Sequence, residues 1–330
     1  MPQELRTYYY HRQHLIEQIA KYTHKMQKAL RLMNVRLDVA IRDITGKSGL
    51  AIIDAILSGS RDPHYLASLV DIRIRKSKQE IADSLQGWWR DELIFELGAS
   101  LDFYRSYEKA LRKCDNIIEK VLLKYAPISA LSKSDIEKPN TSKKKSSKNA
   151  PVFDVSSIAW QYFRTDLFAI SGISYSTVLC LLTTMGDDIH KFKSAKSFAS
   201  WLRLVPNNKI SGGRIISSRT PCGKSYLALA LRQAANSIGN QKDHELTPFF
   251  KRIAYKKGRI TAITATARKL AVIIWNMLTK AEPYKKQQVK ETNQKTKAAG
   301  LKQVERRIDA LKLSQSELKT LFARTSLLID

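Results

Sequence analysis

Two long runs of apolar residues at helical spacing constrain the fold of this chain more than any other feature. The first run lies between Leu15 and Leu37, and the second repeats over four heptads between Leu97 and Tyr125. Apolar residues at alternating steps of three and four form one face of a helix, which must be buried against another apolar surface. The second run, called the heptad seam below, consists of Leu97, Leu101, Tyr104, Tyr107, Leu111, Cys114, Ile118, Val121 and Tyr125.

The spacing of the heptad seam does not decide whether the seam packs within one chain or against a second chain. Because a compact segment separates the two runs, residues 1–126 are predicted to form either an antiparallel helical hairpin or a coiled coil between two chains. Packing within a single bundle and pairing between chains both satisfy the pattern. We expect this domain to act as a helical linker, and we expect a homo-oligomer that forms through the coiled coil.

The composition changes after the first domain. Residues 127–151 are rich in Ser, Lys and Asn and poor in large apolar residues. Such a segment cannot bury enough apolar surface to order itself, so it is predicted to be a flexible basic linker. A second domain is expected over residues 152–282, followed by a basic helical tail over 283–330. In that tail, Ser314 and Glu317 have the spacing of a capping box.

The second domain has a mainly helical pattern with one short interruption. A helix, a turn at Ser171-Gly172 and a helix over 174–185 resemble a helix-hairpin-helix motif, which can hold a backbone phosphate. An ordinary helix pair is the alternative. The glycine pair Gly212-Gly213 between short isoleucine-containing arms predicts a basic β-hairpin or a long basic loop. Helices are predicted over 226–238 and 260–278, so the fold class of the whole chain is mainly α.

The charge of the second domain is strongly one-sided. Between Ile189 and Lys242 there is no acidic residue but there are ten cations, and the whole chain has a net charge of +27. A solvated helical face normally mixes both signs, so this pattern favours a polyanionic partner over an unused basic surface. We predict phosphate contacts from Lys209, Arg214, Arg219, Lys224 and Arg232, with support from Arg268 and Lys269.

Other function classes find little support. Cys114, Cys180 and Cys222 are far apart, and neither they nor the histidines have the spacing of a metal site, so no metal is predicted. No apolar run approaches the roughly 20 residues of a membrane-spanning helix, and residues 1–13 lack the apolar core of an export signal. We expect a cytoplasmic, nucleoid-associated protein without a membrane partner.

Several sequence blocks occur in the order found in one known family. These are MQKALRLMNVRLDVAIRDITG, GLAIIDAIL, RDPHYLASL and LQGWWRDELIFEL in the first domain, and LFAISGISYSTVLCLLTTMGD, KSFASWLRLVPNNKISGGRIISSRT, ALRQAA, FFKRI and ITATARKLA in the second. Over roughly residues 10–285 the chain resembles transposases of insertion sequence family 110 (the 110/116/902 group).

This resemblance implies a DNA recombinase of a mobile element. Members of the family carry an N-terminal RuvC-like domain with an Asp-Glu-Asp-Asp metal site, a helical coiled-coil linker and a C-terminal domain with a nucleophilic serine. They assemble as oligomers and are directed by a structured RNA. The implied partners are therefore DNA and a structured guide RNA. Mg²⁺ is implied only where a RuvC-like domain is supplied, so no cofactor is expected in this chain.

The chain departs from the family pattern at two places. No strand with an early catalytic aspartate precedes the helical region, so the RuvC-like domain is expected to be absent, and Asp38 is given no metal role. The nucleophilic serine should fall within 240–242, where the residues are Asn, Gln and Lys. The nearest hydroxyl belongs to Ser237, about one helical turn earlier, which is the candidate nucleophile or else a serine on the surface of a helix.

Three hypotheses of function follow. The chain is a transposase, completed by a RuvC-like partner or using Ser237. Alternatively it is a non-catalytic nucleic-acid-binding regulator that forms mixed oligomers with an intact transposase. The third hypothesis is an inert remnant of an element, although the regular heptads indicate a chain that still folds.

Overall fold

The computed structural model describes residues 3–126, 148–170, 172–185, 189–223, 225–242 and 244–286, with parts of 298–319. The fold is mainly α, as the sequence predicts, and the chain forms two compact units. Within the described residues, the first unit contains 3–126, 148–162 and 182–185, and the second contains the remainder. None of the described helices is long and apolar enough to span a bilayer.

The first unit is built on an antiparallel pair of long helices, α1 (Gln3–Leu32) and α6 (Asp91–Lys124). Their direction follows from their contacts: Tyr22 of α1 stacks on Phe103, whereas Arg12 bonds to Asp115 further along α6. Most of the heptad seam is buried, and it packs against α1 of the same chain. The hairpin is therefore the arrangement that the structure adopts for residues 3–126.

Short helices between α1 and α6 close one end of this hairpin. They are α2 (Leu37–Ala40), α3 (Lys47–Leu57), α4 (Pro63–Ser68) and α5 (Lys78–Ser84). Their starts are fixed locally: the Asp62 carboxylate accepts from the backbone N–H groups of His64 and Tyr65, and Ser77 forms a capping box with Glu80. Isoleucines and leucines from these helices join α1 and α6 in one apolar core.

A buried ion pair lies inside the hairpin. Arg12 Nε donates to Asp115 Oδ1 at 2.5 Å, and the side chains are 0% and 1% exposed. The same pair ties down the segment that follows residue 148, because Arg12 also donates to the Asn149 carbonyl and Asp115 accepts from the Val152 N–H. Residues 152–162 therefore belong to the first unit, whereas the sequence prediction started the second domain at 152.

The second unit is organised around one long helix. α12 (Arg259–Lys280) packs against α9 (Ala195–Trp201), α10 (Tyr226–Gly239) and α11 (Thr247–Lys257). Leu231, Ile238, Phe250, Leu270 and Ile274 are among the buried side chains of this core. The predicted helices over 226–238 and 260–278 are present, whereas α11 was not predicted.

A two-stranded antiparallel β-ribbon projects from these helices. Strand β1 (Lys209–Ser211) pairs with β2 (Arg214–Ser217) through the turn Gly212-Gly213, whose φ angles are +54° and +74°. Positive φ at both turn residues suits the right-handed twist of a hairpin, which explains the two glycines. Of the two alternatives drawn from the sequence, the β-hairpin is therefore the one that forms.

The turn at Gly172 lacks a regular helix directly before it. α7 (Val155–Phe163) is followed by a single 3₁₀ turn over Leu167–Ala169, and α8 (Tyr175–Met185) begins after Gly172. Gly172 has φ of +92°, and a Cβ there would lie 3.1 Å from Ile238 Cγ1. This glycine is thus required by packing against α10, and the helix-hairpin-helix motif stays a prediction.

Several predicted features fall outside the described residues. They are most of the linker over 127–151, Ser171, Lys224 and Ser314 of the predicted capping box. The domain boundaries that depend on the linker and the tail remain predictions.

Candidate nucleic-acid interface

The β-ribbon presents cations and apolar side chains to solvent. Lys209 and Arg214 are exposed on β1 and β2, and Ile210, Ile215 and Ile216 are 64%, 60% and 71% exposed. A two-stranded ribbon has no apolar core of its own, so these isoleucines gain nothing from folding. Exposed isoleucines between cations are instead typical of a surface that becomes covered on binding.

A basic groove begins where the ribbon ends. Its cavity of about 790 Å³ is lined by Leu204, Pro206, Ser218, Arg219, Thr220, Phe249, Ile260, Thr261, Thr264, Ala265, Arg268, Lys269 and Val272. Three of the predicted phosphate contacts, Arg219, Arg268 and Lys269, meet here although the first lies about fifty positions before the others. The lining contains no acidic residue. This groove and the ribbon are called the basic interface below.

Lys269 is a cation of this groove whose surroundings disfavour its positive charge. Its Nζ lies 4.5 Å from the centroid of the Phe249 ring, and Arg252 lies over the same ring at 5.7 Å. Burial lowers the pKa of Lys269, and the positive charge of Arg252 lowers it further. A phosphate would relieve both effects, because it supplies the opposite charge that the lining lacks.

Comparison with known proteins agrees with this geometry. The model of the family described as "Transposase IS116/IS110/IS902 family" matches residues 165–250, a range that includes the whole ribbon and Arg219. A curated relative, the "Transposase for insertion sequence element IS1111A" of Coxiella burnetii (strain RSA 493 / Nine Mile phase I), is 28% identical over 121 residues. Over residues 165–250 the chain is therefore similar to transposases of the IS116/IS110/IS902 family.

The extent of the match is limited. It covers 36% of this chain and 33% of the relative, so the chain spans about a third of the length of the curated transposase. No solved structure matches the chain. The similarity to the family therefore applies to the matched part of the chain, and the activity of the complete relative is not transferred to this chain by the match alone.

The remaining predicted phosphate contacts of this chain lie apart from the groove. Arg232 is partly exposed on α10 and is not among the groove's lining residues. Lys224 is outside the described residues. Arg203, a further cation of the same stretch, is used within the fold, since its guanidinium donates to the Cys222 carbonyl and fixes the loop after Thr220.

Ser237, the candidate nucleophile, is exposed on the last turn of α10. Its neighbours Asn236 and Asn240 both accept hydrogen bonds from Arg259, at 2.6 and 2.7 Å. Across the residues that the structure describes, no hydrogen-bond partner contacts the Ser237 hydroxyl. The structure thus places this serine on an accessible helix end beside an arginine, without a base in contact.

The described residues also contain no group of three or more His, Cys, Asp or Glu side chains able to hold a metal ion. Asp38 is held by Arg31 at 2.6 Å and lies 3.7 Å from Arg36. The hydrogen bond from Arg31 is the main reason why the pKa of Asp38 is lowered. No residue described here is therefore assigned to the Mg²⁺ that the family resemblance implies.

Sequence reasoning missed part of this interface. Phe249, Arg252, Ile260, Thr261 and Thr264 were not predicted as functional residues, yet all but Arg252 line the groove. A signal was present, because the stretch between Glu245 and Glu282 contains no acid. This acid-free stretch could not be assigned to the interface from the sequence, because the sequence does not show that α11 and α12 face the loop after β2.

Proposed function

We propose that the second unit binds nucleic acid along the basic interface, and that the chain acts in the transposition of an insertion sequence. The proposal is carried by one observation: Arg219, Arg268 and Lys269, from separate segments, converge on a groove whose lining has no acid. Folding alone would not favour bringing like charges together in a partly buried place. A polyanion removes that cost.

The ribbon and the groove suit different parts of a nucleic acid. The major groove of a duplex admits a two-stranded β-ribbon, and Lys209 and Arg214 on such a ribbon can reach backbone phosphates. Arg219 follows Arg214 by a few positions and leads from the ribbon into the groove. A strand that contacts the ribbon can therefore continue over the groove.

The proposed partners are DNA and a structured RNA encoded by the element. To identify them, we would express the chain with its flanking element DNA, purify it through a high-salt wash, and sequence the retained nucleic acid. A single structured RNA from the flanks is the expected result. A random mixture that is lost on washing would contradict the guide-RNA partner while leaving electrostatic binding in place.

Salt dependence tests the basic interface directly. With phosphate contacts from Lys209, Arg214, Arg219, Arg268 and Lys269, the logarithm of the binding constant for duplex DNA should fall with log[salt] at a slope of about −4 to −5. The double variant Arg219→Ala/Arg268→Ala should reduce this slope by about two. Lys113→Ala, at an exposed position on α6, is the matched control and should leave the slope unchanged. A slope near zero for the unmodified chain would overturn the proposal.

One observation favours a second candidate function. The Ser237 hydroxyl has no contacting base among the residues described, so the chain can alternatively act as a non-catalytic regulator that joins an intact transposase. The two functions differ in a reconstituted strand-transfer assay. A transposase that uses Ser237 loses strand transfer, but not binding, on Ser237→Ala. A regulator instead inhibits an intact family member when added in trans.

A further inference from the structure

The groove beside the ribbon is larger and more apolar than phosphate binding requires. Its volume of about 790 Å³ lies within the range of about 300–1,000 Å³ typical of small-ligand pockets. Its lining includes the apolar residues Leu204, Pro206, Ile260, Ala265 and Val272. Ile260 is 82% exposed, although a solvent-facing isoleucine contributes nothing to the core. Contacts to phosphates along a duplex need only cations on an open surface.

The same groove also contains charged and aromatic lining residues. Arg219, Arg268 and Lys269 provide positive charge, and the Phe249 ring is already in contact with cations. A ligand that satisfies both kinds of lining residue has an apolar body and an attached anion. Within a nucleic-acid strand, that description fits one nucleotide: a base for the apolar residues and its phosphate for the cations.

We infer that the groove receives a single unpaired nucleotide of the bound strand, with the base against its apolar lining residues and the phosphate on Arg219, Arg268 and Lys269. This inference rests on the proposed nucleic-acid binding and specifies its substrate. A base inside a duplex cannot reach a concave pocket, because it must first leave the stack. The chain should therefore prefer sites that offer an unpaired base.

The lowered pKa of Lys269 supports this assignment. Burial and Arg252 both disfavour its charged form when the groove holds no anion. A phosphate in the groove would favour the charged form of Lys269, so occupancy and the pKa of Lys269 are coupled. The Thr261 hydroxyl donates to the Lys257 carbonyl at the end of α11, and the Thr264 hydroxyl donates to the Ile260 carbonyl of α12. These two donors are therefore not free to select one base.

Three duplexes that differ at one position test the inference. The first is fully paired, the second carries one unpaired nucleotide as a bulge, and the third carries the same bulge without its base. DNA and RNA versions of each are compared by fluorescence anisotropy with the full chain. We expect the base-containing bulge to bind on the order of tenfold tighter than both other duplexes, in DNA, RNA or both. The nucleic acid with the larger preference identifies the strand that the groove takes.

Variants that fill the groove provide the structural control. Ala265→Phe and Thr261→Trp each place a ring in the cavity, and Thr261 is exposed, so its replacement does not disturb the core. Both variants should lose the preference for the bulge, measured as the ratio of the affinities for the bulged and the paired duplex within the same variant. Ala230→Phe on α10, also partly exposed but outside the groove, should keep the preference.

The outcomes separate this inference from the proposed function. Equal binding of all three duplexes with a steep salt dependence would overturn the nucleotide pocket and leave nucleic-acid binding intact. An equal preference for the bulge without a base would show that DNA or RNA bending is selected, which also overturns it. A preference that survives in Ala265→Phe and Thr261→Trp would place the nucleotide elsewhere. No binding to any duplex would overturn both proposals.

Discussion

The positive charge of Lys269 lowers the stability of the fold, whereas the proposed binding of phosphate requires it. Its side chain is partly buried, lies against Phe249 and has Arg252 nearby, and the groove around it has no acid. The lowered pKa means that the folded chain binds the Lys269 proton less tightly than the unfolded chain does. The charged form therefore lowers stability at neutral pH, and this loss is relieved as the pH rises from the folded pKa towards the unfolded value.

We predict that Lys269→Met raises the melting temperature at pH 7 by a few degrees and weakens nucleic-acid binding. The stability gain should shrink as the pH approaches about 10.4, where the unfolded lysine also loses its proton. Thermal unfolding at several pH values measures this, with Lys256→Met at an exposed position of α11 as the control. A gain in melting temperature that does not change with pH would contradict a lowered pKa of Lys269 as its cause.

The buried Arg12–Asp115 pair makes a second prediction at the scale of single residues. Asp115→Ala leaves a buried guanidinium without its counter-charge and should lower the free energy of unfolding by about 3–5 kcal/mol. Asp54→Ala removes the exposed pair with Arg105, whose side chains are roughly half exposed, and should cost no more than about 1 kcal/mol. Urea unfolding of both variants measures these two losses of stability. Similar losses in Asp115→Ala and Asp54→Ala would contradict a special role of the buried pair.

Among the secondary-structure elements, glycines with positive φ have different roles in the turn at Gly172 and in the β-ribbon. A Cβ at Gly172 would press on Ile238 and on the Ala234 carbonyl, whereas a Cβ at Gly212 would meet open space. We predict that Gly172→Ala lowers the stability of the second unit by clearly more than the about 1–2 kcal/mol of a left-handed backbone alone. Gly212→Ala should stay near that backbone cost or below it.

The same pair of variants should separate stability from binding. Because the ribbon has no buried side chain, distortion of its turn should reduce nucleic-acid affinity with little effect on thermal unfolding of the core. Anisotropy and thermal unfolding of Gly212→Ala and Gly172→Ala measure the two effects. A loss of core stability in Gly212→Ala greater than the backbone cost of about 1–2 kcal/mol would contradict this division of roles.

How far the sequence could be interpreted depended on the kind of element. Helices α1, α6, α10 and α12 followed from apolar periodicity, and the ribbon followed from the glycine pair between isoleucine arms. The groove could not be predicted, because its lining combines the loop after α9, the loop after β2, α11 and α12. Residues that are distant in the sequence lie close together in the groove, and no local sequence pattern predicts this proximity. Arg219, Arg268 and Lys269 were predicted individually from charge alone.

For the whole molecule, the heptad seam shows the limit of a periodic pattern. The spacing requires an apolar partner for Leu101 and its neighbours but cannot say whether that partner is in the same chain. In the structure α1 supplies it. An oligomer through the seam would have to replace this packing, so homo-oligomerisation through these residues remains a prediction that competes with folding of the hairpin.

We predict that Leu101→Ala lowers the free energy of unfolding of the first unit by about 2–5 kcal/mol, because the side chain is fully buried. Phe95→Ala on the same helix, where the ring is 79% exposed, should change it by no more than about 0.5 kcal/mol. Light scattering after size-exclusion chromatography reports the oligomer in parallel. A folded Leu101→Ala monomer from an oligomeric parent would instead show that the seam joins chains.

The burial of the cysteines has a practical consequence for all of these measurements. Cys114 and Cys180 are buried, and burial raises the pKa of the Cys114 thiol, whereas Cys222 is exposed. Cys222 follows Thr220 of the groove by two positions, and its carbonyl is held by Arg203. A maleimide dye should therefore attach selectively at Cys222 without any mutation. The chain carries its own reporter position at the edge of the surface where nucleic acid is expected to arrive.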